Sequence, residues 1–357
     1  MVFQERRGAR RMSLRLAVAC ARQDAEKLSP LLRELERRGT VRPIVFERER
    51  HAFFPAEALE RAQADALLAV GPSAPGRLAA LRRSHGRIPI LLRPAAPPRD
   101  GSRILRSLRD DFLFRLECRY ADAVLCAGSN DRKRCLRLGI AERKLHDAPF
   151  AVDNAHFAGS PHCREAAGTL RARLGIAEDE KLLLYAGKFD FRKGVHILLE
   201  QFLFLRRSGN GGKWHFALAG SGECEETLRQ MAAEDSHIHL LPLPGAQELP
   251  SLLRAADLCA LTPRTGLPWG ALINGAMAAQ RPVLVTEKAG CAPDLVEPGA
   301  TGWSVDSAHP ELWFDYVKGI SRERLAAMGE AAGRKIRSWT PAAFADAVER
   351  AIPRKNR

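Results

Sequence analysis

The sequence predicts an α/β protein made of two doubly wound parallel sheets that face a cleft. Three observations support this prediction. Short apolar runs alternate with segments of helical periodicity. The alternation occurs twice, with an interruption near residues 153–165. A chain of 357 residues is also too long for one simple core, because domains typically hold about 100–200 residues. Two Rossmann-like domains are therefore expected, each a parallel sheet covered by helices on both faces.

The individual elements follow from the apolar runs. In the first half the predicted strands are LRLAVACA, VRPIVFE, DALLAVG, IPILLRP, DAVLCAG and KLHDAPF. In the second half they are KLLLYAG, WHFALAG, IHLLPL, DLCALTP, RPVLVTE and TGWSVD. Helical segments lie between them, such as DAEKLSPLLRELERR, which Gly39 ends. The predicted organisation is a basic tail over 1–12, domains over 13–155 and 156–330, and a helical segment over 331–357 that crosses back to the first domain.

The charge balance is basic, with a formal net charge of +14 that comes mostly from arginine. A basic surface attracts nucleic acid, anionic membranes or phosphorylated substrates, and a merely solvated basic surface is equally compatible. Nucleic acid is not expected, because no reader helix, zinc pattern or aromatic–basic sheet motif accompanies the charge. The arginines at positions 6, 7, 10, 11 and 15 suit an anionic membrane surface, and a flexible charged tail explains them equally.

Cysteine usage and the first residues predict a cytoplasmic protein, with peripheral association at the inner face of the membrane as an option. Eight cysteines are scattered singly without a C-x-x-C pair, which argues against a zinc or redox site and fits a reducing compartment. The apolar run at 16–21 is shorter than the roughly 7–15 residues of a secretion signal. No run reaches the roughly 18 apolar residues of a membrane span. Met1 and Met12 are alternative starts.

A candidate phosphate site follows the first strand of the second half, in the turn AGKFDFRKG. Gly187 permits a tight exit from the strand. Lys188 and Lys193 then stand near the start of a helix expected at about Gly194. Cations beside a helix N-terminus attract phosphate. A solvated lysine pair is the competing interpretation, and the spacing alone does not separate the two.

The segment GLPWGALINGAMAAQRPVLV, from Gly266 to Val285, has the form of a binding loop yet contains no acid, histidine or cysteine. Pro268 and Gly270 predict a turn, and Asn274 is a candidate cap for a helix beginning near Gly275. The backbone amides around 270–272 would then point into the cleft. The glycine turn LAGSGE between a strand and a helix is by itself a weak signal, since such turns are common.

Taken in order, these stretches resemble the donor-binding half of retaining GT-B glycosyltransferases of the family 4 type. The motifs are GKFDFRKGVHILLEQF, LAGSGE, LPSLLRAADLCALTP, LPWGALINGAMAAQRPVLV and AGCAPDLVEPGATGW. The segment ADAVLCAGSNDRKRCLRLGIAERKLHDAPFAVDNAHF is similar to the family's passage into its interdomain linker, including its VDN. The resemblance covers about 121–306 well and the first hundred residues only in layout.

This resemblance implies a UDP- or GDP-linked sugar donor held by the second domain and a glycan or lipid-linked acceptor held by the first. No cofactor and no metal is strictly required, because basic side chains and helix dipoles can stabilise the leaving diphosphate. The residues matched to the donor site are Gly187, Lys188, Lys193, Trp269, Gly270, Ala271, Leu272 and Asn274. Among these, the two lysines correspond to the family's diphosphate-binding positions.

Two departures weaken the match. Leu267 and Gly275 stand where the family has the two glutamates that contact the donor hexose and the nucleotide ribose. A charge-assisted hydrogen bond contributes roughly 1.5–3 kcal/mol, so losing both would weaken donor binding by roughly 10²–10⁴-fold. The glycine-rich turn after the first strand is also missing, with Arg22 in its place. The catalytic residues are unknown, because the first-half histidines His51 and His85 are no more than candidates.

The sequence therefore predicts a retaining glycosyltransferase, a hexosyltransferase acting in cell-surface polysaccharide synthesis. The alternative is a glycosyltransferase-like pseudoenzyme that acts as a binding or regulatory protein. The retained lysines favour the enzyme and the missing carboxylates favour the pseudoenzyme. Donor sugar, acceptor, linkage and oligomeric state are left open.

Overall fold

Two six-stranded sheets, paired throughout in parallel, form the framework of the chain. The computed structural model describes residues 13–48, 56–94, 104–209 and 213–353. The basic tail over 1–12 lies outside these residues. The prediction of two Rossmann-like domains is confirmed, because each half forms its own sheet with helices on both faces.

The first sheet has the strand order β2-β1-β3-β4-β5-β6. Its strands are β1 (Leu14–Ala21), β2 (Val41–Arg48), β3 (Ala66–Gly71), β4 (Ile90–Pro94), β5 (Ala123–Cys126) and β6 (Leu145–Asp147). Its helices are α1 (Arg22–Arg38), α2 (Ala56–Arg61), α3 (Pro75–Ser84), α4 (Ile104–Tyr120) and α5 (Ser129–Arg137). Gly39 ends α1 in the left-handed conformation, with φ +69°, as its position predicts.

The second sheet has the strand order β12-β11-β10-β7-β8-β9. Its strands are β7 (Lys181–Ala186), β8 (Trp214–Ala219), β9 (Ile238–Leu241), β10 (Leu258–Leu261), β11 (Val283–Thr286) and β12 (Gly302–Val305). The helices that follow β6 along the chain are α6 (Asn154–Ala158), α7 (Pro161–Arg173), α8 (Val195–Arg207), α9 (Glu225–Ala232), α10 (Leu249–Ala255), α11 (Ala271–Ala278), α12 (Ala292–Leu295), α13 (Arg322–Ile336) and α14 (Pro341–Ala351). None of the described helices is both long and apolar enough to cross a bilayer.

The segment between the two sheets is helical, although its sequence lacks the apolar periodicity of a helix. Asp153 accepts a hydrogen bond from the amide of His156, and Ser160 accepts one from the amide of Cys163. These side chains cap α6 and α7, because they satisfy amide groups that have no intrahelical acceptor. Both helices pack against helices of the second domain, α6 against α11 and α7 against α10.

The last helix returns to the first domain, as predicted. Helix α13 remains against α11, whereas α14 packs against α1. Phe344 and Val348 of α14 are fully buried in the same core as Leu31 and Leu35 of α1. The guanidinium of Arg93 lies 5.0 Å from the centre of the Phe344 ring. The chain therefore connects the two domains twice.

A contact between the domains lies beside α5 and the start of α11. The carboxylate of Asp294, on α12, accepts hydrogen bonds from the Ser129 amide at 3.1 Å and from its hydroxyl at 3.2 Å. This places a negative charge at the N-terminus of α5, which the helix dipole favours. Gly128 lies directly beneath. A Cβ at that position would stand 2.6 Å from both Asp294 Oδ2 and the Trp269 ring.

We expect Gly128→Ala to lower the free energy of unfolding by about 1–3 kcal/mol, the usual cost of overpacking. Its φ of −173° is open to every residue, so the cost arises from lost space rather than from backbone strain. Gly168→Ala is the matched control, because a Cβ there meets nothing within 4 Å. In the interior of α7 this change should stabilise by about 0.5–1 kcal/mol. Urea unfolding measures the free energy of unfolding of both variants. Equal changes in the two would contradict the close packing of Asp294 and Trp269 around Gly128.

Candidate functional site

The candidate site lies where the strand order of the second sheet reverses. Strands β7 and β10 are neighbours, while the following strands lead away in opposite directions. Loops at such a switch point diverge from the carboxyl ends of the strands and leave a crevice that binds ligands in open α/β sheets. The loop after β7 contains the predicted lysines, and the loop after β10 leads into the predicted donor-binding segment. The topology thus brings the two main sequence predictions to one edge.

The loop after β7 is closely packed at its glycines. Gly187 has φ +146° and donates its amide to the Ala219 carbonyl at 2.9 Å. A Cβ on Gly220 would come within 1.9 Å of the Gly187 carbonyl oxygen. Asp190 accepts hydrogen bonds from the amide and the guanidinium of Arg192, both at 2.8 Å. The loop is therefore fixed by its own backbone before any ligand binds.

Lys193 is the functional group that this loop presents. Its side chain is half-buried, and burial lowers the pKa of its ammonium. Asp190 opposes that shift, while the nearby charges of Lys27 and Lys188 add to it. Across the described residues the ammonium has neither a hydrogen-bond acceptor nor an ion-pair partner. An anion that binds beside such a partly dehydrated, unpaired cation stabilises it.

Lys188 is placed differently from Lys193. Its side chain is exposed at the rim of the loop. Its carbonyl oxygen is used internally, accepting a hydrogen bond from the Tyr185 hydroxyl at 2.9 Å. Lys27, on α1 of the first domain, is a charge that sequence reasoning missed. No sequence signal pointed to Lys27, since only the folding of the two domains brings α1 close to the loop after β7.

The two switch-point loops are joined at Gly194. This residue is left-handed, with φ +68°, and a Cβ on it would lie 2.2 Å from the Thr262 carbonyl oxygen. The amide of Arg264 donates to the Arg192 carbonyl at 2.9 Å. Helix α8 begins directly afterwards at Val195, close to the predicted position. Lys193 is consequently held beside a helix N-terminus, where anions are favoured.

Helix α11 begins four residues earlier than predicted. The expectation that Asn274 caps a helix starting near Gly275 is wrong, because Gly270 precedes the first helical residue, Ala271. Gly270 has φ +149°, and a Cβ on it would lie 2.8 Å from Leu261. This glycine lets the chain enter the helix close to β10. The amides of Ala271 and Leu272 then stand in the first turn, where no intrahelical acceptor exists.

Trp269 and Asn274 are buried at the junction of the two domains. The Trp269 indole donates to Asn274 Oδ1 at 2.7 Å, and Asn274 Nδ2 donates to the Phe150 carbonyl at 2.9 Å. The Trp269 ring stacks on Phe150 and on Trp339, with centroid distances of 5.9 Å and 5.0 Å. Their side chains therefore stabilise the junction, and the backbone contact predicted for Trp269 stays a prediction.

Leu267 and Gly275, the two positions that the sequence resemblance matches to glutamates, have different surroundings. Leu267 pairs through its backbone with Lys288 and Gly290, at 2.9 and 2.8 Å, and its side chain packs against the core. Gly275 faces α6, because a Cβ on it would lie 3.0 Å from the Phe157 ring and 3.3 Å from Leu253. Apolar side chains thus fill the space beside Gly275. The sequence analysis did not predict that Phe157 would lie there.

The remaining sequence candidates lie away from the crevice or outside the described residues. His85 follows the C-terminal end of α3, where Nδ1 lies 3.0 Å from the Tyr120 carbonyl. Because α3 runs back from the carboxyl edge of its sheet, His85 stands at the opposite edge. His51 lies outside the described residues. Arg22 begins α1 directly after β1, so no glycine-rich turn separates that strand from its helix.

Residues 180–323 match the family model of the glycosyl transferases group 1. A D-inositol 3-phosphate glycosyltransferase from Segniliparus rotundus is 31% identical over 197 residues, covering 53% of this chain and 42% of the relative. One of the same name from Xylanimonas cellulosilytica is 27% identical over 239 residues, covering 63% and 55%. The chain thus spans about half the length of the curated relatives it matches.

Solved structures extend the likeness to both domains. HepE of Anabaena in complex with UDP superposes with a TM-score of 0.71 at 17% identity, covering 95% of this chain and 99% of that protein. An α,α-trehalose 6-phosphate synthase from Burkholderia multivorans gives 0.71 at 15% identity, covering 95% and 98%. At these identities the likeness establishes the fold. The fold is that of the GT-B glycosyltransferases, with two Rossmann-like domains.

We expect Gly275→Glu to destabilise the protein by about 1–3 kcal/mol, because its side chain must displace the Phe157 ring. The cost should be smaller in a Phe157→Ala background, and a double-mutant cycle measured by urea unfolding isolates this coupling. Gly168→Glu, on the exposed face of α7, controls for the added charge. Equal costs of Gly275→Glu in the two backgrounds would show that Phe157 does not occupy the space.

Proposed function

We propose that this protein is a retaining glycosyltransferase that binds a UDP- or GDP-linked sugar in its second domain. The acceptor, a glycan or lipid-linked sugar, would enter from the first domain, and the product would serve cell-surface polysaccharide synthesis. The observation that carries the proposal is the half-buried, unpaired Lys193 ammonium at the switch point of the second sheet. The glycosyltransferase relatives and the UDP complex of HepE support the same class of ligand.

In this proposal the site acts on the leaving diphosphate. Transfer breaks the bond between the sugar and the diphosphate, and negative charge accumulates on the departing oxygen. Lys193 and Lys188 supply positive charge, and the free amides of Ala271 and Leu272 supply hydrogen-bond donors. Preorganised donors of this kind stabilise a developing anion without reorganisation. No metal ion has a role in this account.

The missing glutamates define how the sugar and ribose would be held. Leu267 offers only its backbone, and Phe157 covers Gly275. The donor hydroxyls would therefore meet backbone groups and water rather than carboxylates. Each exchanged charge-assisted contact costs roughly 1.5–3 kcal/mol. We accordingly propose a donor affinity that depends mainly on the diphosphate and only weakly on the identity of the sugar.

We expect Lys193→Ala to weaken the binding of UDP by roughly 10–150-fold, the equivalent of one charge-assisted contact. Lys188→Ala should weaken it less, because that side chain is exposed and more fully solvated. The matched control is Lys213→Ala, which removes an exposed lysine paired with Asp179 just before β8, at the amino edge of the sheet. Isothermal titration calorimetry measures all three.

Three results would count against the proposal in different ways. If the folded wild-type protein binds no UDP- or GDP-linked sugar, the assigned donor site is wrong. If it binds a donor but transfers nothing to polysaccharide or lipid-linked acceptors, the protein is the binding or regulatory pseudoenzyme instead. If Lys193→Ala binds UDP as tightly as the wild type, Lys193 does not bind the phosphate, and the description of the fold is unaffected.

The proposed acceptor class also favours peripheral contact with an anionic membrane. Helix α4 exposes Leu108 (59%) and Phe112 (62%) one turn apart. Arg115 and Arg119 are also exposed on this helix. Apolar side chains beside arginines are suited to insertion among anionic headgroups. The arginines of the tail at positions 6, 7, 10 and 11 lie outside the described residues.

We expect the full chain to co-sediment with vesicles that contain phosphatidylglycerol and to be released as salt rises, because screening weakens electrostatic attraction. Phe112→Ser should reduce the bound fraction several-fold. Phe204→Ser on α8 is the control, since Phe204 is equally exposed at 62% without belonging to the α4 surface. Equal loss in both variants, or binding that ignores salt, would contradict the proposal.

A further inference from the structure

Three histidines and a glutamate lie together at the amino-terminal edge of the second sheet, opposite the candidate donor site. They are Glu180, His215, His237 and His239. Glu180 directly precedes β7, His215 is the second residue of β8, and the other two stand at the start of β9. Because β8 lies between β7 and β9 and all three are parallel, their first residues converge. We call this set the histidine cluster.

His215 is the centre of the histidine cluster. Its Nε2 lies 3.0 Å from Glu180 Oε2, and its Nδ1 lies 3.0 Å from His239 Nε2. The rings of His215 and His239 are stacked, with centroids 5.3 Å apart and planes 9° from parallel. His215 is buried, whereas Glu180 remains partly accessible. The cluster is therefore anchored in the sheet and open to solvent on the Glu180 side.

Asp235 and Arg206 hold the His237 ring through its Nδ1 atom. Its Nδ1 lies 2.9 Å from Asp235 Oδ1 and 2.8 Å from Arg206 Nη2. Arg206 is itself paired with Asp235 at 2.7 Å, so these two charges largely offset each other. Contacts to Nδ1 leave Nε2 for another partner. A carboxylate held against the distal nitrogen is the usual support for a histidine that binds a metal.

One ligand atom from each of Glu180, His215 and His237 lies within 4.8 Å of the other two. We propose that these three residues bind a zinc ion, with the fourth position open to water. Two imidazoles and one carboxylate are a known set of protein ligands for zinc with an open coordination position. The hard cations Mg²⁺ and Ca²⁺ prefer oxygen ligands, and this set offers too few of them.

His239 acts as a positioning residue for His215. Its Nε2 contacts Nδ1 of the His215 ring at 3.0 Å and so holds the orientation of that ring.

A zinc ion here would join three strands without touching the donor site. The three ligands lie at the N-terminal ends of β7, β8 and β9. Lys193 lies at the opposite, carboxyl edge of the same sheet. Binding to the folded state alone stabilises a protein in proportion to the logarithm of the metal concentration over Kd. The expected consequence is a more stable second domain, with nucleotide binding unchanged.

The test uses the untagged full chain and Zn²⁺ in competition with a chromogenic chelator. The wild type should bind one equivalent and melt at a higher temperature when Zn²⁺ is present. Glu180→Gln and His237→Gln should each weaken Zn²⁺ binding at least tenfold and abolish the thermal shift. His309→Gln is the matched control, because the exposed His309 also contacts a glutamate, Glu311, at the other edge of the sheet.

Further measurements separate this inference from misfolding and from the proposed function. Circular dichroism confirms that each variant is folded, and Co²⁺ in place of Zn²⁺ should give visible absorption bands that the two ligand variants lose. Lys193→Ala should bind Zn²⁺ like the wild type, so a failure of the donor site leaves this test intact. Equal Zn²⁺ affinity in wild type and ligand variants, or equal competition by Mg²⁺, would overturn the proposal.

Discussion

The junction around Trp269 is the interaction on which the arrangement of the two domains depends. Its ring stacks on Phe150 and on Trp339, and its indole donates to the buried Asn274. Asn274 in turn reaches the Phe150 carbonyl. Both chain crossings between the domains are thereby attached to the start of α11. Because α11 also begins the candidate donor site, the same buried network that fixes the domains fixes the first turn of this helix.

The chemistry at this edge depends on backbone and charge more than on polar side chains. Gly187, Gly194 and Gly270 all adopt positive φ values, and neighbouring atoms leave Gly194 and Gly270 no room for a Cβ. These glycines bring the loops close together, and Lys193 is partly buried beside the start of α8. A desolvated ammonium and unpaired amides recognise an anion well but discriminate poorly among sugars.

The two edges of the second sheet have opposite characters. The carboxyl edge gathers lysines and the amides of a helix start, whereas the amino edge gathers imidazoles and a carboxylate. Parallel strands produce this separation, because all loops that follow strands emerge on one side and all segments that precede strands lie on the other. A ligand that binds one edge can therefore stabilise the sheet without entering the crevice at the other.

The sequence by itself determined the two sheets, the order of their strands along the chain, and the loops that carry Lys188 and Lys193. Apolar periodicity and glycine positions are local signals, so these features could be predicted residue by residue. Capping by Asp153 and Ser160 is also local, yet it was missed because α6 and α7 lack an apolar stripe. Tertiary structure alone decided the start of α11, the burial of Asn274, the filling of the space beside Gly275 by Phe157, and the convergence of His215 with His237. Each of these depends on contacts between residues distant in sequence, and no local pattern encodes which distant side chain will occupy a given space.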